Sequence, residues 1–139
     1  MICTFFGHRD APQQIAEPLK RVLRQLIEEK GVTAFYIGNQ GGFDRLVLNT
    51  LRALSLEYPF IRYAIVLAYL PTSEDRFECE TVYPEGLETV PPRYAISHRN
   101  RWLVDHADVV VTYVIHSFGG AAQFKALAEK KGKSVINLV

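Results

Sequence analysis

Three short glycine-bearing runs and a few arginines carry the chemistry this sequence has to offer. Gly7, His8, Arg9 and Asp10 follow the apolar run Ile2 to Phe6, Gly38, Asn39, Gln40, Gly41 and Gly42 follow Thr33 to Ile37, and Ser117, Phe118, Gly119 and Gly120 follow Asp108 to Ile115. Each run sits between a strand-like and a helix-like segment. Amides exposed there, beside the positive end of a helix dipole, make an anion site. Arg9, Arg99 and Arg101 add guanidinium forks, which suit phosphate bidentately. Gly7 would let backbone approach the ligand, with His8 and Arg9 presented to it. The expected ligand-binding set is Gly7, His8, Arg9, Gly38, Gly41, Gly42, Asp44, Arg99, Asn100, Ser117, Gly119 and Gly120, and the expected ligand bears a phosphate.

Each residue also has a plainer reading. A glycine after a strand is often only a turn, Arg9 would serve equally in a surface ion pair, and Arg99 and Arg101 on a solvated helix face. Asp44 is favoured in a first helical turn with or without a ligand. No Gly-Lys-Ser/Thr ends either cluster, as a P-loop would require, and the fixed glycine spacing of the dinucleotide fingerprint is missing. The coincidence of the runs on one edge of the fold is what favours function.

His8, His98, His106 and His116 lack metal-ligand spacing, so neither a metal nor a cofactor is expected, and His106 reads as a residue that caps or packs at a helix end. Cys3 and Cys79 read as reduced thiols. Glu78 and Glu80, in an acidic segment, are candidates for acid or base work, although such a segment is usually just solvated. Tyr83 and Tyr94 are the tyrosines expected to stack on a base. Asp105 and Asp108 belong to a turn at the opposite edge.

To position these residues the chain needs alternating strands and helices. Ile2 to Phe6 reads as a strand buried on both faces. Asp10 as N-cap and Pro12 in the first turn predict a helix from about Ala11, awkward only at Pro18 and stopped by Gly31. Thr33 to Ile37 is a second strand, Phe43 to Tyr58 a helix, Ile61 to Tyr69 a third strand. Thr72 to Arg93 loses periodicity and predicts an excursion over the carboxyl edge, with a short extra strand near Thr81 to Tyr83. Ala95 to His106 is helical, Asp108 to Ile115 a strand, Ala121 to Lys131 a helix and Ser134 to Val139 a last strand. The expectation is a Rossmann-like α/β domain spanning 1–139, its five parallel strands in the order 3-2-1-4-5 with helices on both faces. The ligand crevice then lies at the carboxyl edge between strands one and four.

Composition sets the class. A chain of 139 residues, 48% hydrophobic and 22% charged, is one ordinary globular domain. No apolar run is long enough for a membrane span, and Met1 leads directly into the first strand without room for a signal peptide, so the cytoplasm is the expected compartment. A net charge of +1 argues against a nonspecific nucleic-acid coat.

With these pieces in place a family likeness emerges. Phe6, Gly7, His8 and Arg9 resemble the Gly-His-Arg signature of YpsA-like proteins, a branch of the SLOG superfamily that unites the DNA-processing protein DprA with the Lonely Guy enzymes. The likeness continues in order through a glycine-rich turn with Phe43 and Asp44, the run Arg99 to Asp105, Ser117 to Gly120, and Ala128 to Lys133. It implies a nucleotide or nucleotide-derived small molecule held by Gly7, Arg9, Gly41, Gly42, Gly119 and Gly120. It also implies pairing of two copies through helices. Two alternatives come with it: N-glycosidic hydrolysis of a nucleotide, as in Lonely Guy phosphoribohydrolases, and DprA-like binding of single-stranded DNA. Where Lonely Guy enzymes carry Pro-Gly-Gly-x-Gly-Thr-x-x-Glu, this chain reads Ser117 to Phe124 and keeps two glycines without the threonine and glutamate. Hydrolysis loses support there, and the near-neutral charge disfavours the DNA alternative.

Overall fold

A computed structural model describes all residues from Met1 to Val139. Six parallel strands form one sheet: β1 (Ile2–Gly7), β2 (Ala34–Ile37), β3 (Arg62–Val66), β4 (Glu80–Val82), β5 (Val109–Tyr113) and β6 (Ser134–Asn137), in the order β4-β3-β2-β1-β5-β6. The count of five is thereby corrected to six. The five expected strands keep their expected order, and the addition is the short segment within the Thr72 to Arg93 excursion. Residues 80–82 pair with 64–66 of β3 and extend the sheet by one strand at its edge.

Four helices cover the sheet: α1 (Ala16–Lys30), α2 (Gly41–Glu57), α3 (Ala95–His106) and α4 (Gly120–Lys130). Alternation along β1 decides which face is which. Cys3 and Phe5 pack with Leu19, Leu23, Leu51 and Leu54 of α1 and α2 on one side. Phe6 packs with Leu103, Val104, Phe124 and Ala128 of α3 and α4 on the other. A strand buried on both faces reads as a continuous apolar run, which is why Ile2 to Phe6 lacks period-two polarity. Each fully buried leucine of α1 and α2 contributes about 1.5 to 3 kcal/mol. No helix is long and apolar enough to cross a membrane.

Boundaries differ from expectation for local reasons. Asp10 does not cap α1: a tight turn closes with the Ala11 amide donating to the His8 carbonyl, a 3-10 turn occupies Gln13–Ile15, and the helix proper starts at Ala16. Pro18 is therefore in the first turn, where its missing N–H is no loss. β3 ends at Val66, short of Tyr69, with the Leu67 amide making a last bond to the Val82 carbonyl at 2.8 Å. Leu67 and Ala68 are buried beyond the strand end, which keeps that stretch apolar.

Candidate functional site

Because the strands are parallel, the turns after β1, β2, β3 and β5 open on the same edge. There a cavity of about 290 Å³ forms between the ends of β1 and β2, the start of α2, one face of α3 and the start of α4. Of the residues expected to bind ligand, Gly7, His8, Arg9, Gly38, Asp44, Arg99, Asn100 and Gly120 line it. Gly41, Gly42, Ser117 and Gly119 do not. Gln40 and Ala121 join the lining, as do the apolar side chains of Phe5, Phe6, Ile96 and Leu103.

Arg99 is the central charge. It is only 2% exposed, which removes it from the solvated helix face, whereas Arg101 is exposed and outside the cavity. Its guanidinium donates to three neutral oxygens: Nη1 to the Val66 carbonyl at 2.8 Å, Nε to Asn100 Oδ1 at 2.8 Å, and Nη2 to Gln40 Oε1. No carboxylate pairs with it. Burial pulls its pKa down, while Asp44 and Tyr69 oppose that pull. Two of the five guanidinium N–H groups remain without a protein acceptor. A buried cation whose direct hydrogen-bond partners are all neutral, and whose one nearby countercharge is Asp44 without an ion-pair contact, leaves room for an anion in the cavity to pair with it.

The two helix N-termini at the edge are not equivalent. In the turn into α2, the Gln40 amide donates to Asp44 Oδ2 at 2.9 Å and the Gly42 amide to the Arg9 carbonyl at 2.8 Å. A Cβ on Gly42 would lie 2.5 Å from that same carbonyl oxygen. Gly41 and Gly42 thus dock the β1–α1 turn onto α2, and the expected phosphate cradle is here a packing joint. α4 has no side-chain cap, and its starting residues Gly120 and Ala121 face the cavity. Its first-turn amides are the unspent donors.

Asp44 is the one carboxylate of the cavity. Burial pushes its pKa from 3.8 up to about 6, against the lowering effects of the Gln40 amide, Arg99 and Arg9. The folded state therefore holds this proton more tightly than the unfolded one. No penalty exists below pH 3.8; it grows as pH rises toward about 6 and is fully present above that. Asp44→Asn is expected to raise stability at pH 7.5 by about 1 to 2 kcal/mol and by nothing at pH 3.5, as checked by thermal melts at both values. An equal gain at the two pH values would show that charge burial is not the cause. Glu78 and Glu80 are elsewhere, paired with Arg52 at 2.9 Å and Arg62 at 3.5 Å, so neither loop glutamate reaches the cavity.

At the other wall His8 Nε2 accepts hydrogen bonds from the amides of Ile115 at 2.9 Å and His116 at 3.3 Å. Its ring is fixed by these bonds and ties the β1 turn to the loop after β5. Asn137 fixes the root of that loop, accepting from Thr112 Oγ1 and the Val114 amide and donating to the Val114 carbonyl, each at 3.0 Å. Tyr83 and Tyr94 do not line the cavity, and Tyr83 borders a separate apolar groove with Leu70 and Leu87.

No family model and no curated protein matches the chain. Among solved structures, it is similar to the X-ray structure of DNA processing protein A (DprA) from Streptococcus pneumoniae, with a TM-score of 0.69 and 17% identity. The fold resembles that of DprA. The match covers 97% of this chain and 49% of the other, so the chain spans about half the length of DprA. At this identity the likeness extends to the Rossmann-like α/β architecture.

Gln40, part of the glycine run but absent from the expected ligand-binding set, also lines the cavity: its side chain accepts from Arg99 and its backbone amide donates to Asp44 at the start of α2. A signal for Arg99 was present. Ile96, Arg99 and Leu103 follow the i, i+3, i+7 spacing of one helix face, and that face is apolar.

Proposed function

We propose that this chain binds a nucleotide or nucleotide-derived ligand at the carboxyl edge of its sheet. Its phosphate lies against Arg99 and the open amide end of α4, with Arg9 at the mouth. The observation that carries the proposal is Arg99, a buried guanidinium whose direct hydrogen-bond partners are all neutral, facing a cavity at the edge where parallel α/β folds take ligands. The resemblance of the Gly7 to Arg9 turn to YpsA-like proteins supports the same ligand class. Hydrolysis of an N-glycosidic bond would have to route its acid or base step through Asp44, the cavity's own carboxylate. Single-stranded DNA binding is a second reading, prompted by the DprA-like fold.

A thermal-shift series against nucleoside mono-, di- and triphosphates, ADP-ribose, NAD, inorganic phosphate and a short single-stranded oligonucleotide tests these readings. A ligand at 100 times its dissociation constant adds about 2.7 kcal/mol, which for a domain of this size is a rise of several degrees. A selective nucleotide response is the expected result. A response to the oligonucleotide alone would favour the DNA reading, and silence throughout would sink both.

A further inference from the structure

Three rings follow one another along the cavity wall. His8 lies 4.8 Å from His116, centroid to centroid, with the two planes tilted by 43°, and His116 stacks on Phe118 at 5.1 Å with planes 19° apart. The inner ring lines the cavity and is held by two backbone amides. The outer ring, Phe118, is 71% exposed and has no aromatic partner beyond His116. The Phe118 ring is covered only on the side that meets His116, so its other face is free to take a further flat ring. A stack pinned at its inner end and open at its outer end is a surface on which a further flat ring can continue the series.

We propose that His116 and Phe118 are a stacking platform for the base of the ligand, so that the class bound is base-bearing nucleotides rather than sugar phosphates or simple anions. The inference rests on the phosphate site at Arg99 and deepens it. The occupant is set by continuity: His8 belongs both to the cavity and to the stack, so a molecule with phosphate at Arg99 extends past His8 along the rings. Phe118, the outer ring of the platform, stands two ring spacings from His8 at the cavity wall, which favours ligands longer than a nucleoside monophosphate, such as nucleoside diphosphates and dinucleotides. Tyr83 and Tyr94, the tyrosines singled out by sequence, take no part, and the guanidinium of Arg93 lies over the Tyr94 ring at 4.9 Å.

The test compares ADP, ribose 5-phosphate and inorganic pyrophosphate by calorimetry on the wild-type chain, Phe118→Ala and Phe118→Trp. Because the ring is exposed, both variants should fold, as checked by their unliganded melting curves. Removing a stacked ring is expected to weaken ADP by roughly fivefold to a hundredfold, with the two base-free ligands unchanged. Phe118→Trp should restore ADP affinity, and its added indole should be quenched by ADP but not by pyrophosphate. If ribose 5-phosphate binds wild type as tightly as ADP, or Phe118→Ala leaves ADP untouched, the platform is wrong while the phosphate site stands. If none of the three ligands binds wild type, both the platform and the phosphate site fall.

Discussion

Arg99→Met is expected to cost at least about a hundredfold in nucleotide affinity, equivalent to about 2.7 kcal/mol, and to leave the fold standing. Methionine keeps most of the length and bulk of the arginine stem while deleting charge and donors. The lost interaction is a charge-assisted one in a partly desolvated cavity, where such bonds are strongest. Two effects on stability oppose each other. The Val66 carbonyl, Gln40 and Asn100 lose their donor and Asp44 loses a favourable charge, which is unfavourable, but the desolvation cost of a buried cation is also removed, which is favourable. Calorimetric titration and an unliganded melt together decide the matter. Unchanged affinity would place the ligand elsewhere, and a collapsed melting curve would make Arg99 a structural group first. Arg99→Lys should fall between, since an ammonium keeps the charge and loses the fork.

The second large effect concerns Gly7. A Cβ built there would lie 2.3 Å from Cγ and Cδ2 of Phe43 and 2.8 Å from its Cδ1. Phe43 is 1% exposed and stacks on Tyr113 with centroids 6.4 Å apart, so its ring has nowhere to swing. Gly7→Ala must push the start of α2 away from the end of β1 or bend β1 off its register with β5, where Gly7 pairs with Tyr113. The expected cost is about 3 kcal/mol, a drop of roughly 10 °C in the melting midpoint. Phe43→Leu in the same chain should recover part of that loss, because the clash belongs to the ring. A double-mutant cycle measures the recovery, and strictly additive losses would refute the steric account.

Much of the architecture was legible because apolar periodicity responds to burial, and burial in a parallel sheet is emphatic. The run Ile2 to Phe6 and the middle of Asp108 to Ile115, Val109–Tyr113, are interior strands, and the α3 boundaries coincide with Ala95 and His106. Elements decided by pairing or by a local turn were read less well. The short extra strand expected near Thr81 to Tyr83 is present as β4 at Glu80–Val82 but was left out of the count of five, its three residues carrying too little pattern to place it in the sheet, and α1 begins late because the His8 turn claims the segment that Asp10 would have capped. At the site, glycine identity gave the edge but not the purpose. Gly7, Gly41 and Gly42 all admit close approach, and what approaches is Phe43 or Arg9. Arg99 and Arg101, two positions apart on one helix, look alike in sequence until the company of Ile96 and Leu103 is taken into account. The exposed stack at Phe118 is a tertiary fact, assembled from His8 and a loop over a hundred positions away.

The place of β1 in the sheet also bears on how the chain reaches its folded state. β1 lies between β2 and β5, and Cys3 pairs with Val109, roughly a hundred residues further along. The unit of β1, β2, β3, α1 and α2 can consolidate first, because its contacts are comparatively local. The second edge of β1 and the face carrying Phe6 stay bare until α3, β5 and α4 arrive, and closing so long a loop is slow. Gly7 and Gly38 belong to the early unit, Arg99 and Gly120 to the late one. The cavity lining is therefore complete only when both parts of the chain have docked, since neither part holds all of it.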